Sequence, residues 1–196
     1  GVPQKEGIFV PLLKEVFIPV GLDFSATKAG FKAIGKKSDM GTARTIWDFL
    51  IEARRQPKFR QLAILAWGGY GKTTLLRHIA FRYGTKQPVD QAPKLIPFLL
   101  ILREYREILS GINPPNLPEL IMHHHLPKLS GGEMLKPPKN WARFVLRRGD
   151  ALVMLDGFDE IPIDERPAIA RWINYQIRQY GKSVFILTSR PKAYKE

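Results

Sequence analysis

Four short apolar runs punctuate the chain from its second third onward: Leu62–Trp67, Ile96–Leu102, Ala151–Leu155 and Ser183–Thr188. Each is apolar at nearly every position rather than at alternate ones, the pattern of strands covered on both faces. The segments between them carry apolar residues at helical spacing. Thr45–Arg55 puts Ile46, Phe49, Leu50 and Ala53 on one side, and the proline in Gln56–Phe59 ends it. Thr73–Tyr83 aligns Leu75, Leu76, Ile79, Ala80 and Tyr83, with Gly84 as its stop. Leu117–Leu126 and Trp141–Arg148 read as short helices, the second closed by Gly149. Glu165–Tyr180 places Ile169, Trp172, Ile173 and Ile177 on one face before Gly181. Apolar strands alternating with helices predict an α/β fold of three layers, with a central, mostly parallel sheet flanked by helices.

The first part of the chain reads differently. Ile8–Val20 is rich in Val, Phe, Ile and Pro and suits one or two short strands at a sheet edge, where proline is tolerated. Residues 25–42 hold three glycines and four lysines with weak periodicity and read as a mobile loop. The expected organisation is a lead-in segment over 1–43 and a core over 44–196.

Composition narrows the chemistry. Among 196 residues there is no Cys, which excludes a disulfide scaffold and a thiolate zinc site. No apolar run approaches the roughly 20 residues of a membrane span. The first residues lack the layout of a signal peptide. A soluble, cytoplasmic protein with no membrane partner is the expectation. The 31 Lys and Arg against 18 Asp and Glu give a formal charge of +13. Residues 25–60 alone hold nine basic and three acidic residues. Such a surface attracts polyanions, although a solvated basic face is the simpler reading.

Three strand ends carry candidate chemistry. Ala66-Trp67-Gly68-Gly69-Tyr70-Gly71-Lys72-Thr73-Thr74 follows a strand and opens a helix. It fits the phosphate-binding pattern G-x-x-x-x-G-K-[ST] except that Ala66 stands at the first glycine. Glycines let successive N–H groups turn inward around an anion. The helix N-terminus adds unpaired N–H groups and the positive end of its dipole. Gly68, Gly69, Tyr70, Gly71, Lys72, Thr73 and Thr74 form the candidate nucleotide-binding set. Lys72 reaches the outer phosphates as a point charge, and the Thr73 hydroxyl is a candidate Mg2+ ligand. In Ala151-Leu152-Val153-Met154-Leu155-Asp156-Gly157-Phe158-Asp159-Glu160, an apolar strand ends in a carboxylate. Ligands of open α/β sheets bind at that edge, so Asp156 is the candidate metal ligand across from Thr73. Asp159 and Glu160, one short turn later, suit a general base or a water-orienting role. In Phe185-Ile186-Leu187-Thr188-Ser189-Arg190-Pro191, Arg190 at a strand tip is a candidate sensor of the terminal phosphate. A surface ion pair is its bland alternative.

Together, the loop with Gly-Lys-Thr-Thr-Leu-Leu, the strand end Asp-Gly-Phe-Asp-Glu and the Thr-Ser-Arg-Pro tip resemble the NACHT group of signal-transduction ATPases, within the STAND class of P-loop NTPases. The resemblance covers about residues 60–192, and Ile96–Arg103 resembles the family's strand between the two main motifs. It implies binding of ATP, sometimes GTP, with Mg2+, slow hydrolysis, and a switch in which nucleotide state controls self-assembly of a large multidomain protein. It assigns phosphates and metal to Lys72 and Thr73, the metal also to Asp156, the hydrolytic step to Asp159 and Glu160, and the first sensor to Arg190. It further implies a five-stranded core, with the sensor strand between the loop strand and the acidic strand. Four of these strands can be placed, and the fifth is expected beyond Lys195–Glu196. The family's helical and winged-helix regions are not present in the sequence, so an exposed sheet edge is expected. Phe9, Val10 and Pro11 are candidates for a contact with the base.

Other residues are weighed down. His123, His124 and His125 are helical neighbours about 100° apart, which cannot converge on one ion, and they read as a half-exposed helix end. Trp47, Trp141 and Trp172 fall on apolar helical positions and read as core. Trp67 either covers a nucleotide or packs beneath the loop. Two further readings stay open: a nucleic-acid-dependent ATPase that uses the basic surface, and a scaffold that holds nucleotide without hydrolysing it.

Overall fold

The computed structural model describes residues 14–16, 32–33, 44–87 and 91–195. The strands are β1 (Lys14–Val16), β2 (Lys32–Ala33), β3 (Arg44–Thr45), β4 (Gln61–Leu65), β5 (Ile96–Ile101), β6 (Ala151–Asp156) and β7 (Val184–Ser189). The helices are α1 (Ile46–Arg55), α2 (Lys72–Gly84), α3 (Arg106–Ser110), α4 (Leu117–Glu119), α5 (Trp141–Arg148), α6 (Arg166–Gln179) and α7 (Pro191–Lys195). Short 3-10 turns join several of them.

The main sheet has the order β1-β4-β7-β6-β5, with every pairing parallel. β7, the strand that leads into the candidate sensor Arg190, thus lies between the loop strand β4 and the acidic strand β6, as expected. A fifth strand is present among the described residues and comes from the first part of the chain: it is β1, whose Lys14 pairs Leu62 and Val16 pairs Ile64. The edge of β4 is therefore covered by three residues of backbone ladder. Most of Ile8–Val20 and of the 25–42 loop, and Phe9, Val10 and Pro11, lie outside the described residues; within 25–42, Lys32–Ala33 pairs antiparallel with Arg44–Thr45.

Side-chain alternation divides each central strand between two cores. Leu62, Ile64, Leu152, Met154, Val184 and Ile186 face α1 and α2, where they meet Leu50, Ala53, Leu75, Leu76 and Ile79. Ala63, Leu65, Val153, Leu155, Phe185 and Leu187 face the opposite way, onto α3, α5 and α6. The result is the expected three-layer α/β fold. Each Leu or Ile fully buried in these layers contributes roughly 1.5–3 kcal/mol. Thr45 caps α1: its hydroxyl accepts from the Asp48 N–H, and Asp48 Oδ2 accepts from the Thr45 N–H.

The stretch expected as one helix over Leu117–Leu126 is instead α4 followed by a π-helix over Leu120–His125. The wider turn buries Leu120, Ile121 and His125 together. The histidines correspondingly part ways: His123 is exposed, His124 is half-buried, and His125 is 7% exposed with Nδ1 3.0 Å from the Tyr105 hydroxyl. No group of three His, Asp or Glu among the described residues could hold a metal ion. Trp47 and Trp172 are buried, and Trp141 packs edge-on against Phe98. No helix among the described residues is long and apolar enough to cross a membrane.

Candidate nucleotide site

The loop between β4 and α2 is built from backbone more than from side chains. Gly69 and Gly71 have φ of +81° and +70°, a region that L side chains avoid. Gly71 is the N-cap of α2, and no side chain caps the helix there. The first N–H groups of α2 are left to an anion, with the dipole's positive end behind them. Lys72 Nζ curls back onto the loop and donates to the carbonyls of Ala66 (2.8 Å) and Trp67 (3.2 Å). No carboxylate holds it among the described residues. Gly68, Gly69, Tyr70 and Thr74 are exposed, and Trp67 is 61% exposed, so its ring does not pack beneath the loop.

Parallel pairing brings the other two strand ends to the same place. Thr73 Oγ1 donates to Asp156 Oδ2 at 2.6 Å. Thr188 Oγ1 donates to Asp156 Oδ1 at 2.5 Å and accepts from the Gly157 N–H at 2.9 Å. Asp156 is 3% exposed and Thr188 fully buried. A hydroxyl and a carboxylate in contact are a hard-oxygen pair of the kind Mg2+ selects, so the residues present fit that ion.

Arg190 ties β7 to both the acidic turn and the loop. Its Nε lies 2.9 Å from Asp159 Oδ2, and its backbone N–H donates to Asp159 Oδ1 at 3.1 Å. A Cβ on Gly68 would come within 3.1 Å of the same guanidinium. The ion pair offered as the bland reading of Arg190 is thus present, but at the site rather than away from it. Glu160 points elsewhere and binds Arg103 Nη1 at 2.6 Å. That bond, and then the Glu160 charge, raise the Arg103 pKa further.

Thr73 and Asp156 thus meet at the C-terminal edge of the sheet, and Arg190 meets Asp159 and approaches Gly68 at the same edge. Three contributors were missed. Thr188 fixes Asp156. Arg103, at the end of β5, holds Glu160. Arg166 donates to the carbonyls of Asp159 (3.2 Å) and Ile161 (2.9 Å) and clamps the acidic turn. Thr188 stood inside a quoted motif and could have been marked as a polar residue ending an apolar strand. Nothing local marks Arg103, 57 residues from its partner.

A parallel three-layer sheet with a glycine-rich, lysine-bearing loop at its C-terminal edge defines a nucleotide-binding NTPase of the P-loop class. The NACHT domain family model matches residues 60–196, and the chain belongs to that family. No curated protein and no solved structure matches the chain.

Proposed function

We propose that residues 44–196 form a Mg2+-dependent ATPase core that hydrolyses slowly and acts as the assembly switch of a larger, cytoplasmic, multidomain signalling or defence protein, with 1–43 as its lead-in. The observation that carries this reading is the 2.6 Å contact between Thr73 and Asp156 beside an uncapped helix start. Gly68, Gly69, Tyr70, Gly71, Lys72, Thr73 and Thr74 hold the phosphates. Lys72 exchanges two neutral carbonyl partners for phosphate oxygens, a gain because charge-assisted bonds are the stronger ones. Thr73 and Asp156 hold Mg2+, which when bound neutralises phosphate charge. Thr188 keeps Asp156 oriented.

Asp159 and Glu160 carry the hydrolytic step, and Arg190 senses the terminal phosphate. Both acids are engaged by arginines, Asp159 by Arg190 and Glu160 by Arg103. Either must let go before it can orient a water, which supports slow turnover. An anionic phosphate near Arg190 competes with Asp159 for the guanidinium, so nucleotide state and the acidic turn are coupled. ATP over GTP, and self-association in the full-length protein, rest on the family.

Calorimetric titration of Mg-ATP and Mg-GTP into wild type and Lys72→Ala tests the reading. Binding by the wild type and its loss in the variant are expected, and equal binding by both would sink it.

A further inference from the structure

The opposite pole of the sheet carries a second, independent feature. A cavity of about 270 Å3 opens at the N-terminal ends of the strands, lined by Ala53, Arg54, Arg60, Leu95, Gly149 and Val184 among others. A second, of about 570 Å3, adjoins it along α5 and shares Arg148 and Lys182 with the first. Six cations line the pair: Arg54, Arg60, Arg143, Arg147, Arg148 and Lys182. Among the described residues, no Asp or Glu lines either cavity. Of these six, only Arg148 has a carboxylate partner among the described residues, Asp150 at 2.8 Å.

These cations come from α1, the turn before β4, α5 and the turn before β7, so no single helix face explains them. In α5 the division is sharp. Ala142, Val145 and Leu146 are buried, while Arg143, Phe144, Arg147 and Arg148 are exposed. Phe144 is 57% exposed, with the Arg148 guanidinium 5.2 Å from its ring centre. Gathering six like charges around a concavity repels unless something anionic enters it.

We infer that this pole is a binding surface for single-stranded nucleic acid, with the arginines and Lys182 on the phosphates and Phe144 stacked on a base. The shape and the aromatic ring select this ligand. Concave, cation-lined cavities follow a strand's backbone, and an exposed ring beside them gives the bases a platform. A flat bilayer matches their concave shape poorly, and a purely acidic peptide offers Phe144 no base to stack on. The surface lies at the far end of the strands from Lys72 and Asp156, so its use requires neither nucleotide binding nor turnover.

Fluorescence anisotropy of the full chain with labelled single-stranded RNA and DNA, without nucleotide, reads this directly. Arg147→Glu/Lys182→Glu is expected to weaken oligonucleotide binding at least about tenfold at low salt and to flatten its salt dependence. Phe144→Ala should weaken it about fivefold or more without changing the salt slope. Lys72→Ala should bind oligonucleotide like wild type, which separates this surface from the nucleotide site. Lys128→Glu/Lys136→Glu, with the same charge change outside the cavities, should also bind like wild type. Equal losses in the two charge-reversed pairs would overturn the proposal in favour of net charge alone. So would anionic vesicles or polyglutamate binding while oligonucleotides do not. Circular dichroism of each variant confirms that it is folded.

Discussion

The Thr188 hydroxyl donates to Asp156 across the β6–β7 pair, 2.5 Å from Oδ1, with both groups out of solvent. The same oxygen accepts the buried Gly157 N–H. One side chain thereby orients the acid at the end of one strand and satisfies the backbone of the turn that follows it.

Replacing it removes both bonds at once. Thr188→Val keeps the shape but leaves a buried N–H without a partner, at a cost of about 2–3 kcal/mol. Thr188→Ser keeps the hydroxyl and should recover most of that. Urea unfolding of the two variants beside wild type measures the difference; a valine variant as stable as the serine one would contradict it.

The two arginine pairs at the acidic turn differ in exposure, and their loss should differ with it. Arg103 and Glu160 are 58% and 40% exposed, so Arg103→Ala should leave the thermal midpoint unchanged. Asp159 is only 7% exposed, and Arg190→Ala strands its carboxylate with the backbone bond alone. A loss of about 1–3 kcal/mol is expected. The thermal melts of the two variants should therefore separate, and coincident curves would show that burial of Asp159 is not what matters.

His125 predicts a pH dependence of stability. Burial first, and then the Lys128 charge, lower its pKa from 6.5 to about 4. Burial raises its neighbour Tyr105 to about 12, so that hydroxyl stays protonated beside the neutral ring. Between about 4 and 6.5 the unfolded chain binds a proton that the native chain does not. The contribution is complete above 6.5 and is lost as pH falls toward 4, on the order of 3 kcal/mol in all. In His125→Phe the stability difference between pH 7 and pH 4.5 should shrink by much of that amount. An unchanged difference would assign the dependence to carboxylates alone.

Two glycines in the left-handed region should respond unequally to alanine. Gly69 has nothing within 4 Å of a new Cβ, so Gly69→Ala costs only the backbone term, about 1 kcal/mol. At Gly149 the added atom would lie 2.7 Å from the Lys182 carbonyl oxygen. That clash with backbone adds to a φ of +85°, and Gly149→Ala should lose several times as much. Denaturant midpoints of the pair decide it.

The elements were legible because apolar spacing is a local property. Trp141–Arg148 matches its expected bounds, and the four main strands match within two residues. The glycine-rich loop with Lys72 was legible for the same reason, since loop, lysine and helix start are contiguous. The π turn at Leu120–His125 was not, because its widened backbone follows from which side chains the neighbouring layer accepts. Strand order, the pairing of β1 with β4, Thr188 on Asp156, Arg103 on Glu160 and the cation-lined pole were all decided by tertiary structure. Each joins residues tens of positions apart, and their proximity depends on how the layers close over the sheet, which no local spacing records.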